Sequence, residues 1–233
     1  MFRNLRQSLG LTGLLILFII AVSVALTIQL SIEASETATL SGDVAVSTWV
    51  QRTSLPGVGY LVEILNWIGQ PIPLALLTGL VAVGLMSRRR YAEALLILPA
   101  TGTHLVNAII KNVVQSPRPT GQQVRIQDHA AGFGFPSGHT MAIVVFCGVI
   151  AYLAWRLIDR KRYQYAVHAV VALAIVGIGF SRIYSGAHWP SDVLGGYLWG
   201  AFYTGVLVLL FHRLQPLNAG ERVPATRPRP ETA

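Results

Sequence analysis

Charge is what this sequence has least of. Only 12% of its 233 residues are Asp, Glu, Lys or Arg, against roughly 25% in an ordinary soluble domain. Hydrophobic residues make up 53% and the mean hydropathy is +0.54, so a bilayer protein built as one domain is expected rather than a water-soluble globule. Cysteine is nearly missing as well. Cys147 stands alone inside an apolar run, which rules out an intrachain disulfide framework or a cysteine-based metal site and leaves a small buried side chain as its expected role. No Asn-x-Ser/Thr sequon occurs, which fits a prokaryotic inner membrane. Acidic residues number 10 against 18 basic ones, a net charge of +8. The basic residues form short clusters between apolar runs and no continuous basic face, so a nucleic-acid partner is not expected.

The apolar runs themselves are abundant. The first, Leu11–Leu30, is 20 residues long. That exceeds the core of about 7 to 15 residues of a cleaved signal and suits a bilayer of about 30 Å, so it is expected to remain as an anchor helix. Further runs follow at Pro71–Ser87, Ala94–Ile110, Thr140–Trp155, Tyr163–Ser181 and Val193–Phe211. The fold expected is therefore all-α: a six-transmembrane helix bundle spanning 11–213, with a cytoplasmic N-terminus at 1–10 and a disordered cytoplasmic tail at 214–233, rich in Pro and Arg. Pro99 should kink the third span. With the N-terminus inside, the inner segments hold 13 basic and 4 acidic residues and the outer ones 5 basic and 6 acidic. Every inner loop is positive, which places both termini in the cytoplasm.

The outer segment from Ser31 to Gln70 carries Trp49 and Trp67 among two helix-like apolar faces. Short helices lying at the outer interface after the first span are expected there. Gly196-x3-Gly200 should mark close helix packing inside the bundle. His104 and His168, within spans, are expected to bond between helices, although His104 shares one helical face with Asn107 and Lys111 and so could back a site above it.

Two outer loops hold polar residues that a bundle does not require. Lys111 is followed after six residues by Arg118-Pro119. Pro136-Ser137-Gly138-His139 stands at the mouth of the fourth span, and Ser181-Arg182, His188 and Asp192 stand around the mouth of the sixth. These segments, 111–119, 136–139 and 181–192, read K-x6-R-P, P-S-G-H and S-R-x5-H-x3-D. Complete and in order, they resemble the three motifs of the type 2 phosphatidic acid phosphatase superfamily, which also includes the vanadium haloperoxidases.

The residue types suit phosphate chemistry. A phosphoryl transition state spreads charge over its equatorial oxygens. Arg118 and Arg182 can each offer paired donors to those oxygens, with Lys111 as a point charge. Ser137 and Gly138, at the start of the fourth helix, can turn backbone N–H groups toward an anion. His188 and Asp192 are four apart where Pro190 suits the first turn of the sixth helix. That spacing can hold one ring nitrogen against the carboxylate and leave the other as a nucleophile.

The resemblance implies the same roles: His188 forms a phosphohistidine, Asp192 orients it, and His139 protonates the leaving oxygen, with no metal and no cofactor. It implies hydrolysis of a lipid phosphate or diphosphate on the outer face of the cell membrane. Phosphatidic acid, phosphatidylglycerophosphate and undecaprenyl diphosphate all remain open, and the outward site favours the last or a broad range. Two alternatives stand beside this one: a lipid-phosphate transporter or flippase that keeps the pocket for binding only, and a vanadate-dependent haloperoxidase. Arg125, Asp128 and His129, between two motifs, could touch a headgroup.

Overall fold

The computed structural model describes residues 2–37 and 39–219. Among them there is no strand. The order is α1 (Phe2–Glu36), α2 (Asp43–Gln51), α3 (Val58–Ile68), α4 (Pro71–Ser87), α5 (Tyr91–Ile97), α6 (Thr103–Val114), α7 (Gly138–Leu157), α8 (Lys161–Tyr184) and α9 (Pro190–Ala219), with a 3-10 turn at Leu98–Gly102 between α5 and α6. That turn is the expected break at Pro99, whose ring deprives the helix of one donor and crowds the preceding turn.

Four segments are long and apolar enough to cross a membrane: Tyr91–Val114 (α5, turn and α6 together), Gly138–Leu157, Lys161–Tyr184 and Pro190–Leu214. A fifth arises if α3 and α4, which meet at a 70° bend, count as one broken span. The six expected spans are thus not all recovered. Helix α4 has 17 residues and rises about 25 Å, short of a full hydrocarbon core. The first run falls within α1, one 35-residue helix, but most side chains in its first half lie outside the described residues. Helix α9 continues through Pro216 to Ala219, so the tail begins later than residue 214; residues 220–233 lie outside the described residues.

Sequence explains the bend between α3 and α4. Pro71 opens α4 at a position where its missing N–H costs nothing, and Gln70 before it is extended, with φ −69° and ψ 156°, as a following proline demands. Helix α7 runs through the centre and is buried along most of its length. Its approach to α9 depends on small residues. A β-carbon on Gly196 would come within 2.8 Å of the Ser137 carbonyl oxygen, and one on Gly200 within 2.7 Å of the Val144 side chain. The Gly-xxx-Gly pattern is therefore a packing seam inside the bundle, as expected. It brings the first turns of α7 and α9 side by side.

The outward surface is apolar. Leu105, Ile109 and Val113 on α6, Leu76 and Leu80 on α4, and Leu173 and Val176 on α8 are all exposed. Such stripes would be a liability in water and are natural against lipid. Trp49 and Trp67, on α2 and α3, are exposed too. The chain is a multi-pass membrane protein.

Candidate active site

Four helix ends converge at one end of the bundle. Lys111 lies in the last turn of α6 and Arg182 in the last turn of α8, while His139 and Asp192 lie in the first turns of α7 and α9. The connections between them supply Arg118, Ser137 and His188. Backbone bonds tie the second motif segment to the third and brace the third within itself, while the Gly134 N–H, just before the second, donates to the Ser116 carbonyl in the first at 2.7 Å. The Ser137 N–H donates to the Asp192 carbonyl at 2.9 Å, and the His188 N–H donates to the Arg182 carbonyl at 3.3 Å.

His188 is buried in the short connection between α8 and α9, and its ring is held from both sides. Nδ1 lies 3.1 Å from Asp192 Oδ2, and Nε2 lies 3.2 Å from Arg118 Nη1. A guanidinium can only donate. Nε2 must therefore present a lone pair, Nδ1 carries the hydrogen, and the ring is the neutral tautomer. Burial is the first cause holding its pKa well below the ordinary 6.5, and the nearby charges of Arg182, Arg118 and Lys111 push the same way. Asp192 is positioned in turn by its place in the first helical turn, where Oδ2 also accepts the Trp189 N–H at 3.0 Å. Its Oδ1 has no hydrogen-bond partner among the described residues. The carboxylate sits under Gly134, where a β-carbon would approach Oδ2 to 2.8 Å.

The three cations are anchored by carbonyls and one carboxylate. Arg118 donates to the carbonyls of Gly132 (2.9 Å) and Ala187 (2.7 Å) as well as contacting His188. Lys111 Nζ donates to the carbonyls of Phe133 and Gly134. Arg182, only 1% exposed, gives Nη1 to Asp128 Oδ2 at 2.8 Å, and its Nε has no partner among the described residues. A buried guanidinium with an unused N–H is suited to accept an anion, because the ion pair alone does not satisfy its donors. A cavity of about 530 Å³ opens over Arg118 and Ala187, with Arg125, Asp128 and His129 on its wall.

His139 stands on the other side of the cluster. Its ring lies near the Asn66 backbone and packs on Gly69, where a β-carbon would come within 2.7 Å of Cδ2. Both residues belong to the bend between α3 and α4. The Asn66 side chain reaches Ser181, accepting its hydroxyl at 2.9 Å. His104, expected to bond between helices, instead lies edge-on to His139 at 6.3 Å between centroids, and its Nε2 has no partner among the described residues. His168, given the same expectation, bonds within its own helix, to the Gln164 carbonyl at 2.6 Å.

Of the two backbone N–H groups expected to face an anion, only one is available. Ser137 spends its N–H on Asp192, because the glycine seam draws α7 and α9 together. Gly138 opens α7, so its N–H has no carbonyl one turn earlier in the helix. The Ser137 hydroxyl accepts from Thr140 at 3.0 Å and keeps its own hydrogen to give. Arg125 does line the cavity, but its backbone and guanidinium are taken by Gln51 and its charge lies over the Tyr184 ring.

Several supporting residues gave no sign in the sequence. Asn66, Gly69 and Asp43 lie in the stretch 31–70, far from any motif. Gly134, one residue before Phe135, could have been suspected from its place beside the second motif. Asn107 was marked by its helical face, and its amide holds the Pro136 carbonyl at 3.0 Å.

The motifs, their order and this shared geometry agree with the comparison to known proteins. The family model of the PAP2 superfamily matches residues 90–216, more than half of the chain and all three motif segments. The chain belongs to the PAP2 superfamily. Among its PAP2 relatives, phosphatidylglycerophosphatase B of Bacillus subtilis (strain 168) is 30% identical over 162 residues, covering 69% of this chain and 78% of that protein. Lipid A 1-phosphatase of Rhizobium johnstonii is 35% identical over 85 residues; these are 36% of this chain and only 31% of the relative. The fold is that of the crystallised transmembrane PAP2-type phosphatidylglycerolphosphate phosphatase from Bacillus subtilis, with a TM-score of 0.73 at 22% identity over 84% of this chain and 96% of that one.

Proposed function

We propose that this PAP2 chain is a membrane lipid phosphatase that removes phosphate from a lipid phosphate or diphosphate through a phosphohistidine. One observation carries the reading: His188 is fixed as a neutral tautomer between Asp192 and Arg118, with its Nε2 lone pair turned to Arg118 and the charges of Arg182 and Lys111 acting on the ring. Arg118, Lys111 and the unused Nε of Arg182, with the Ser137 hydroxyl and the Gly138 N–H, cradle the phosphoryl oxygens. In the first step Nε2 bonds to phosphorus as the bond to the lipid oxygen breaks, and His139 gives that oxygen a proton. In the second, water attacks phosphorus, His139 takes its proton, and the P–N bond breaks to release inorganic phosphate. Asp192 steadies the imidazolium character that develops on His188. The chemistry uses side-chain cations in place of a metal.

The site lies at the end of the bundle opposite the basic clusters of residues 88–90 and 160–162. By the positive-inside rule it faces outward, with both termini cytoplasmic and α1, α4 and the four longer segments together making six spans. An impermeant thiol reagent checks this on a Cys147→Ala background. Cysteine at Gln122 should label in sealed right-side-out cells and cysteine at Ser87 should not; the opposite pattern inverts the topology.

Substrate identity follows from release of inorganic phosphate by the purified protein. Phosphatidylglycerophosphate, phosphatidic acid and undecaprenyl diphosphate are compared with glycerol 3-phosphate. At least one lipid should be turned over with a much higher kcat/KM than the soluble ester, in EDTA, and with inhibition by vanadate. Equal kcat/KM for lipid and soluble substrates would make it a general phosphatase. Activity that vanishes in EDTA and returns with magnesium would refute the metal-free cradle.

A further inference from the structure

Helix α9 needs donors at its N-terminus satisfied, and one of them is met from an unexpected place. The Ser191 N–H donates to Asp43 Oδ1 at 3.0 Å, and the Ser191 hydroxyl donates to Asp43 Oδ2 at 2.7 Å. Asp43 is the first residue of α2, 148 positions earlier, and is buried to 4% exposure. Its carboxylate is itself fixed by its own turn, where the Leu40 N–H donates to Oδ2 at 3.1 Å. Three donors thus converge on two oxygens, an arrangement that holds a buried carboxylate in one orientation.

The far end of the same helix makes a second attachment. Gln51 Nε2 donates to the carbonyls of Arg125 (2.7 Å) and Tyr184 (3.2 Å), and Gln51 Oε1 accepts the Arg125 N–H at 3.0 Å. Arg125 belongs to the connection that carries Asp128, and Tyr184 ends α8 two residues beyond Arg182. So α2 is pinned at one end to the first turn of α9 and at the other to the loops around Arg182.

We propose that Asp43 is a positioning residue for His188. It grips Ser191, the residue before Asp192, and so fixes the turn from which Asp192 holds the ring. This rests on the reading of His188 as the nucleophile. Asp43 touches neither the phosphoryl group nor the histidine. Its loss should lower kcat and the rate of phosphoenzyme formation while leaving KM nearly unchanged.

The test uses full-length protein and ³²P-labelled p-nitrophenyl phosphate under rapid alkaline quench. Asp43→Ala should slow formation of the acid-labile phosphoenzyme by about 10²-fold, the scale of a misplacement near 1 Å. Ser191→Ala, which keeps the backbone bond, should slow it by less, and the double variant should be no slower than Asp43→Ala alone. Asp43→Asn, which retains one acceptor oxygen, should recover part of the rate. A phosphoenzyme that forms at the parental rate in Asp43→Ala, whatever the fall in Tm, overturns the proposal. Should Asp43→Ala fail to fold, the Asn and Ser191→Ala variants decide it: parental rates in both overturn it, and a slowing with unchanged KM upholds it. Absence of any phosphoenzyme in the parent would instead refute the phosphohistidine reading itself.

Discussion

Two regions of the molecule serve the same pair of histidines in different ways. Helices α6 to α9 and the connections between them carry the side chains of all three motifs, and all but the last residues of α9 lie within the span matched by the family. Helices α2 and α3 lie outside that span and contribute none of the proposed catalytic groups. Yet α2 grips the turn that holds Asp192, and the end of α3 brings the Asn66 backbone and the bare Gly69 against His139. The difference separates two kinds of information. Chemistry needs particular side chains at fixed local spacing, which a sequence displays. Placement needs only an acceptor at the right point in space, which a single aspartate or a backbone carbonyl from elsewhere in the chain can provide.

Substitutions in the two regions should therefore differ in effect. Asp192→Asn should have the largest effect: with the Nδ1 acceptor weakened and the tautomer no longer enforced, kcat should fall by roughly 10³- to 10⁴-fold on every substrate. A loss below tenfold would show that the carboxylate is not what orients the ring. His139→Ala should follow, with a fall of about 10²- to 10⁴-fold on a lipid alkyl phosphate but far less on p-nitrophenyl phosphate, whose leaving group needs little protonation. Equal losses on both would remove the assignment of His139 as the acid.

Gly69→Ala carries the test into the other region. Its added carbon would press on the His139 ring, so it should reproduce the same leaving-group dependence at a smaller scale, about tenfold on the alkyl phosphate. An unselective loss would mean that the bend supports the fold and does not place His139. The last effect expected is no change at all. Because burial and neighbouring cations lower the His188 pKa well below 6.5, the neutral form persists as the pH falls. Its ring NMR signal, identified by its loss in His188→Ala, should show no titration between pH 7.5 and 6, measured as a flat chemical shift. A midpoint near 6.5 would contradict the cation-lined setting.

The legible part of this protein follows the same division. The apolar runs gave an all-helical membrane chain, Pro99 gave the break between α5 and α6, and Pro190 gave the start of α9. Lys111, Arg118, His139, Arg182, His188 and Asp192 were proposed from the three motifs, and only the spacing of four between His188 and Asp192 carried a chemical reason of its own; their roles await the experiments above. The count of spans was less readable, since a 17-residue run such as α4 does not reveal whether it crosses alone or joins α3 through a bend. The orientation of the Ser137 N–H was hidden too, because it depends on how closely the glycine seam lets α7 approach α9. Asp43 could not be read at all. An isolated acidic residue at the start of a short helix has no local pattern, and its partner lies 148 residues away.

If His188 carries the phosphoryl group, the phosphorylated protein can be trapped. Purified protein mixed with a ³²P-labelled lipid phosphate and quenched within milliseconds should yield an acid-labile, alkali-stable protein phosphate. The label should be absent in His188→Ala and should persist in His139→Ala with a lipid diphosphate substrate, whose phosphate leaving group departs without an acid. Label retained in His188→Ala and lost only in His139→Ala would contradict the account and reverse the two histidines.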